Sequence, residues 1–217
     1  MQVILTNEQA DFDSIASQLG AYQLQDGVYQ VLQKALKRNV QNFLLLYGAY
    51  LPFVTVKNLP KESISSVTLV DTQSLITIKG LKKSTNIFVI DHHKKKERLP
   101  SEWEFTQVET GSCCTYFIEQ LIEKNHHKLS IIEATLLLLG IYEDTGTLTY
   151  ANTTARDAAA IAFLLSQGAS LVIATQFLNP SLSAEQQALF EQLMNNSRNV
   201  TIEGQNIFVS SADAPNL

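Results

Sequence analysis

Short apolar runs at 3–5, 43–47, 67–70 and 87–90, rich in Val, Ile, Leu and Phe and each followed by polar or turn residues, predict strands. Their apolar residues run on rather than alternate, which is the pattern of a parallel sheet covered on both faces. Between the first two runs lies a helical pattern through Ile15, Leu19, Tyr22, Tyr29, Val31, Leu32 and Leu36, interrupted near Gly27. Past residue 110 the period changes, and 116–123, 131–142, 155–167 and 184–194 all read as helices. Thr154 and Asp157 form a capping pattern ahead of a stripe of Ala158, Ala159, Ile161, Ala162 and Leu165, with Gly168 as the C-terminal stop. Ser183, Glu185 and Gln186 open the last helix, just past the punctuation of Pro180.

The fold this predicts is α/β, a doubly wound, mostly parallel sheet flanked by helices, and helical after residue 110. The closing segment NVTIEGQNIFVSSADAPNL predicts two short strands about Gly204. A lone hairpin is marginal in water. The expected organisation is therefore a body over 1–195, with 196–217 as a hairpin or the beginning of a second domain.

The chain has 217 residues, enough for one sizeable core and a small appendage. Its 45% hydrophobic and 17% charged residues are ordinary for a globular protein, and no apolar run is long enough to span a bilayer. The N-terminus has neither a basic segment nor a small-residue cleavage site, so a cytoplasmic setting without membrane is expected. A net charge of −5 argues against broad duplex binding and leaves room for a small nucleotide or a short single strand in a local cleft. The adjacent Cys113 and Cys114 suit neither a disulfide nor a metal knuckle and read as buried packing. Lys94, Lys95 and Lys96 read as a solvated face, with phosphate steering as the alternative. Arg156 reads as pairing near its helix start, and His126 and His127 as a surface pair in a polar link.

Chemistry collects where the strands end. The first strand leads to Asn7, Asp11 and Asp13, the run 67–70 into Asp71, and the run 87–90 into Asp91, His92 and His93. Asp144 lies in GIYEDTGTLTY, at the end of a long apolar helix. Ligands gather beyond the carboxyl ends of a parallel sheet, so these residues should converge. Each acid alone reads as a cap or turn former. Together with a His-His pair they make an oxygen-rich set for up to two divalent ions, Mn²⁺ or Mg²⁺ rather than zinc.

VIDHH is similar to the signature of the DHH phosphoesterases; ADFDSIAS resembles their first motif, VDTQS the second, YEDTGTLTY the fourth, and ETGSCCTYFIEQL the glycine-initiated helix after the signature. ADFDSIAS and TTARDAAAIAFLLSQGA further resemble the DHH domain at the N-terminus of fused proteins that carry paired CBS domains and a tRNA nucleotidyltransferase or poly(A) polymerase module. The resemblance implies metal-dependent hydrolysis of a nucleotide phosphodiester or phosphoanhydride. It puts the first ion on Asp11 and Asp71 and the second on Asp13, Asp71, His92 and Asp144. Asp91 then orients His92, and His93 faces the substrate phosphate. Asn7 stands where the family has a histidine, with Gln9 two positions on, which implies a weakened first site. The remaining domains of a larger chain are the implied partners, so weak turnover is expected of this chain alone, and its oligomeric state stays open. The alternative is a degenerate module that binds metal or nucleotide, or docks domains, without effective catalysis.

Overall fold

The structure, a computed structural model, describes residues 1–125, 128–178 and 182–213. The readings of His126, His127 and Pro180 lie outside the described residues. Six strands, β1 (Gln2–Leu5), β2 (Val28–Leu32), β3 (Val54–Thr55), β4 (Ser66–Val70), β5 (Asn86–Asp91) and β6 (Glu104–Gln107), form one sheet in the order β3-β2-β1-β4-β5-β6. Every neighbouring pair is parallel. The chain therefore builds outward from β1 on one side and from β4 on the other, and a crevice opens at the carboxyl ends where the direction reverses.

The helices are α1 (Phe12–Gln23), α2 (Arg38–Tyr47), α3 (Cys113–Glu123), α4 (Ile131–Thr145), α5 (Ala155–Ser166), α6 (Leu171–Leu178) and α7 (Ala184–Asn195). One sheet face, with Ile4, Val28 and Val70, packs on Ala21 of α1 and on Cys113 and Phe117 of α3. The opposite face, with Val3, Leu5, Val67, Leu69 and Val89, is covered by irregular segments through Ile64, Leu75, Ile78 and Leu81. Behind α1 a helical core joins Phe12, Ile15 and Leu19 to Phe43 of α2, Ile118 of α3, Leu136–Leu139 of α4 and Phe177 of α6.

Three local expectations change. The helical pattern expected through Tyr29, Val31 and Leu32 stops short, because α1 ends at Gln23 and Gly27, at φ +71°, turns the chain into β2. The run 43–47 is not a strand but the end of α2, with Phe43 buried while Leu45 and Leu46 are 83% and 63% exposed. A short apolar run cannot be assigned by periodicity alone. The third change is in α5, whose buried face passes through Asp157, Ala160, Ile161 and Leu164, leaving Ala158, Ala159, Ala162 and Leu165 outside. Its rotation is set by Asp157, which accepts hydrogen bonds from Gly111 N at 2.9 Å and Thr115 Oγ1 at 2.6 Å on the neighbouring element. Arg156 pairs as expected, with Glu119 at 2.6 Å.

The chain divides into two compact units, Met1–Leu178 and Asn179–Leu217. Within the second, β7 (Arg198–Ile202) and β8 (Gln205–Val209) pair antiparallel about Glu203 and Gly204, both at positive φ as a tight hairpin turn requires. A capping box of Ser183 and Gln186 opens α7. The division falls after Leu178 rather than at 195, so α7 goes with the hairpin. Asn196 Nδ2 donates to Ser211 O at 2.9 Å and Ser210 Oγ to Leu193 O, tying the end of α7 to it. Among the described residues no helix is long and apolar enough to cross a membrane.

Gly140 brings α4 against α1, since a Cβ there would stand 2.6 Å from Ala16 Cβ and 3.3 Å from Asp13 Cα. Gly140→Ala is expected to lower stability by about 1–3 kcal/mol in urea unfolding. Asp157 gives a second test. Burial raises its pKa, but the donors on Thr115, Thr154 and Gly111 outweigh it and hold the carboxyl below its ordinary 3.8. A lowered folded pKa contributes stability that is present above 3.8 and lost as pH falls through the folded value. Asp157→Ala should cost about 2–4 kcal/mol near neutral pH, and its gap to the parent chain should narrow toward about pH 3.

Candidate metal centre

The loop after β1 carries the first acids. Ala10 forms an isolated parallel bridge with Leu36, and Lys37 N donates to Ala10 O at 3.0 Å, so the start of α1 and the start of α2 lie side by side. Asp11 is the N-cap of α1, accepting from Ser14 N at 3.0 Å through Oδ1, while its Oδ2 takes Lys37 Nζ at 2.9 Å. Burial raises the Asp11 pKa, yet Ser14 and Lys37 more than offset it and the net direction is down. Glu143 of α4 joins this group, accepting from Phe12 N at 2.6 Å and standing 3.7 Å from Lys37 Nζ.

Asp13, in the first turn of α1, has no exposed surface. Its carboxylate sits on the N-terminus of α3, where Ser112 Oγ donates at 2.6 Å, Cys113 N at 2.8 Å and Cys114 N at 2.9 Å. An anion is favoured there by free N–H groups and by the helix dipole. Burial, with Asp144 and Asp71 nearby, nonetheless pushes its pKa well up.

Asp71 follows β4 at φ +52°, a conformation Asp tolerates better than most residues. One oxygen, Oδ2, accepts from Ser14 Oγ at 2.6 Å, and Ser14 Oγ in turn accepts from Asn7 Nδ2 at 2.8 Å. The other, Oδ1, is buried without a hydrogen-bond partner among the described residues, as is His92 Nε2, 3.6 Å away. His92 Nε2 also lies 3.3 Å from Asp144 Oδ2 and 4.0 Å from Asp13 Oδ2, while Nδ1 faces Thr110 O at 3.4 Å. Burial drives the Asp71 pKa up to about 7, with Asp11 and Asp144 adding to it. Desolvation lowers that of His92, but Asp144, Asp13 and Asp71 prevail and take it to about 10. Three carboxylates around one imidazole nitrogen make a hole shaped for positive charge, which a proton or a divalent ion can fill.

The structure thus brings Asp13, Asp71, His92 and Asp144 together. Ligand atoms of Asp13, His92 and Asp144 lie within 4.8 Å of one another, and so do those of Asp71, Asp91, His92 and His93. The donor set of carboxylate oxygens with one imidazole nitrogen fits a hard divalent cation. Asp11 is adjacent, but both its oxygens are taken by the chain's own donors. Asp91 does not orient His92. Its Oδ1 receives His93 N at 3.0 Å and contacts His93 Nδ1 at 2.8 Å, while Gln73 Nε2 donates to Oδ2 at 2.9 Å. A residue two positions on lies closer to a strand-end carboxylate than the next one, whose side chain points to the other side.

Sequence reasoning missed Ser14, Lys37, Gln73, Ser112 and Glu143. Gln73 holds the loop after β5, donating to Lys94 O at 3.1 Å and accepting from Lys96 N at 2.8 Å. The Lys94–Lys96 run is exposed, with Lys95 Nζ 5.6 Å over the Phe105 ring. Cys113 and Cys114 are buried, as read, and their thiols are pushed well above the usual range by burial first and by Asp13 next.

A parallel sheet with an Asp/His cluster in its switch-point crevice defines a class, and residues 2–141 match the family model described as DHH family, N-terminal domain. The chain belongs to the DHH family of phosphoesterases. An A-adding tRNA nucleotidyltransferase of Geobacter sulfurreducens is 33% identical over 220 residues, taking in 98% of this chain and 25% of that protein. The cyclic-di-AMP phosphodiesterase PdeA of Listeria monocytogenes is 26% identical over 197 residues, or 83% of this chain and 30% of the relative. An exopolyphosphatase-related protein of Bacteroides fragilis shares the fold with a TM-score of 0.69 at 18% identity, over 91% of this chain and 61% of that one. The chain spans 25% to 30% of the length of the two curated relatives.

The Asp91–His93 contact gives a testable sign. Asp91 raises the His93 pKa above its ordinary 6.5, and despite burial His93 holds that of Asp91 below 3.8. The stability from His93 is full below 6.5 and lost as pH rises through the folded value, while that from Asp91 is present above 3.8 and lost on acidification. In the metal-free chain, NMR titration should find His93 above 6.5 and Asp91→Asn should bring it down.

Proposed function

We propose that this chain is a divalent-metal-dependent phosphoesterase domain that hydrolyses a nucleotide phosphodiester or phosphoanhydride, in a small nucleotide or a short single strand. The observation that carries the reading is the pair of orphaned, buried atoms, Asp71 Oδ1 and His92 Nε2, aimed at the same space as Asp13 and Asp144. Leaving such atoms without a partner costs about 1–3 kcal/mol each. A shared cation removes that cost.

The residues that would hold Mn²⁺ or Mg²⁺ are Asp13, Asp71, His92 and Asp144. When bound, the ion supplies a hydroxide-like water at neutral pH and positive charge toward the phosphoryl oxygens. His93, with 65% of its side chain exposed, is held by Asp91 as a donor facing the crevice. There it can give a hydrogen bond to a phosphoryl oxygen or a proton to the leaving oxygen, and Asp91 keeps the ring oriented and protonated ahead of either role. Names of the relatives support the substrate class: one is an A-adding tRNA nucleotidyltransferase, the other a cyclic-di-AMP phosphodiesterase. By the same support, we take the chain to serve within a larger tRNA nucleotidyltransferase-like protein.

The test is hydrolysis of a labelled short oligoribonucleotide and of pyrophosphate with and without Mn²⁺. Metal-dependent cleavage that falls about 10²-fold or more in His93→Asn and vanishes in His92→Ala supports the reading. An ion bound without cleavage of either substrate would point instead to a binding module.

A further inference from the structure

The acids of the crevice fall into two groups that the chain treats differently. Around His92, the Asp71 Oδ1 and His92 Nε2 atoms have no hydrogen-bond partner among the described residues, and they face each other's charge and that of Asp144 and Asp13. Around Asp11, each carboxylate oxygen already holds a donor among the described residues. Asp11 Oδ1 is spent on Ser14 N and Oδ2 on Lys37 Nζ at 2.9 Å, and Glu143 faces Phe12 N, Asn39 Nδ2 and the same Lys37 ammonium. Asn7 turns its amide N–H to Ser14 Oγ. Among the described residues, Asp11 joins no group of three clustered ligand atoms.

Lys37 is not a loose surface cation that happens to reach an acid. Its backbone N–H is fixed on Ala10 O at 3.0 Å, one residue from Asp11, and the Ala10–Leu36 bridge locks the two segments together. Its side chain, 49% exposed, reaches both acids, with Nζ 2.9 Å from Asp11 Oδ2 and 3.7 Å from Glu143 Oε1. A single ammonium thus sits between two carboxylates that would otherwise attract a second divalent ion.

We propose that Lys37 takes the place of a second metal ion. The crevice holds one divalent ion, on Asp13, Asp71, His92 and Asp144, and the Lys37 ammonium on Asp11 is the fixed positive charge beside it. This rests on the metal-dependent reading above. Where the sequence implied up to two ions with a weakened first site, it puts one ion and one built-in cation. A monovalent charge on a covalent tether needs no metal concentration to be present, and it retains N–H donors for an anionic group beyond those given to Asp11.

Counting bound Mn²⁺ by equilibrium dialysis and elemental analysis of the 217-residue chain at millimolar free metal tests it, without any assay of turnover. The parent chain should bind one ion per chain, Asp11→Asn should still bind one, and His92→Ala none. Lys37→Ala, which frees Asp11 and Glu143, should admit a second ion, while Lys37→Arg should remain at one. Matching thermal melts will certify that the variants are folded. Two ions in the parent chain, or loss of the ion in Asp11→Asn, overturns the inference and leaves the phosphoesterase reading standing. A Lys37→Ala chain that stays at one ion overturns the role of Lys37. No ion in the parent chain overturns both.

Discussion

The carboxylate of Asp13, wholly withdrawn from solvent, makes demands that the surrounding architecture meets. A buried anion needs donors in its first contact layer, and here they come from the start of α3, through Ser112, Cys113 and Cys114. For α3 to point its N-terminus at α1, the two helices must lie on the same sheet face, which they do over Ile4 and Val70. For α4 to deliver Asp144 to the same spot, its axis must come close to α1, and Gly140 permits that approach. One charged group thus couples the positions of three helices to the ends of β4 and β5.

The strand-end acids were legible because parallel sheets concentrate polar residues at one edge, and the sequence marks that edge by the change from Val, Ile and Leu to Asp. Asp71, Asp91, His92 and His93 follow directly from it. Asp144 was legible from its motif and its place after a long apolar helix. The stretch 28–32 was misread because Tyr29, Val31 and Leu32 keep a spacing that both periods accept, and only Gly27 at positive φ distinguishes them. That error hid Lys37. With β2 read as a helix, Lys37 is an ordinary solvated residue; with β2 as a strand, it stands beyond a carboxyl end, where ligands and their counter-charges belong.

Other elements of the site leave weaker marks. Ser14 and Ser112 relay hydrogen bonds between segments 57 and 99 positions apart in sequence, and neither serine differs in local context from an ordinary cap. Glu143 sits next to Asp144, yet on a helix successive residues point about 100° apart, so the two acids serve different neighbours. The capping boxes of Thr154 and Ser183, by contrast, were readable outright, because their chemistry is complete within four residues.

The burial of Cys113 and Cys114 has its own outcome. Two sulfurs stand at the start of the helix that supports Asp13, where a helix N-terminus would ordinarily favour a reactive thiolate. Here the surrounding acids and the lack of solvent keep both protonated, with Cys113 Sγ donating to Ile90 O. Burial thus withholds both thiols from solvent-borne oxidants and alkylating reagents, and the crevice offers an incoming ion carboxylate oxygens and imidazole nitrogen as its donors.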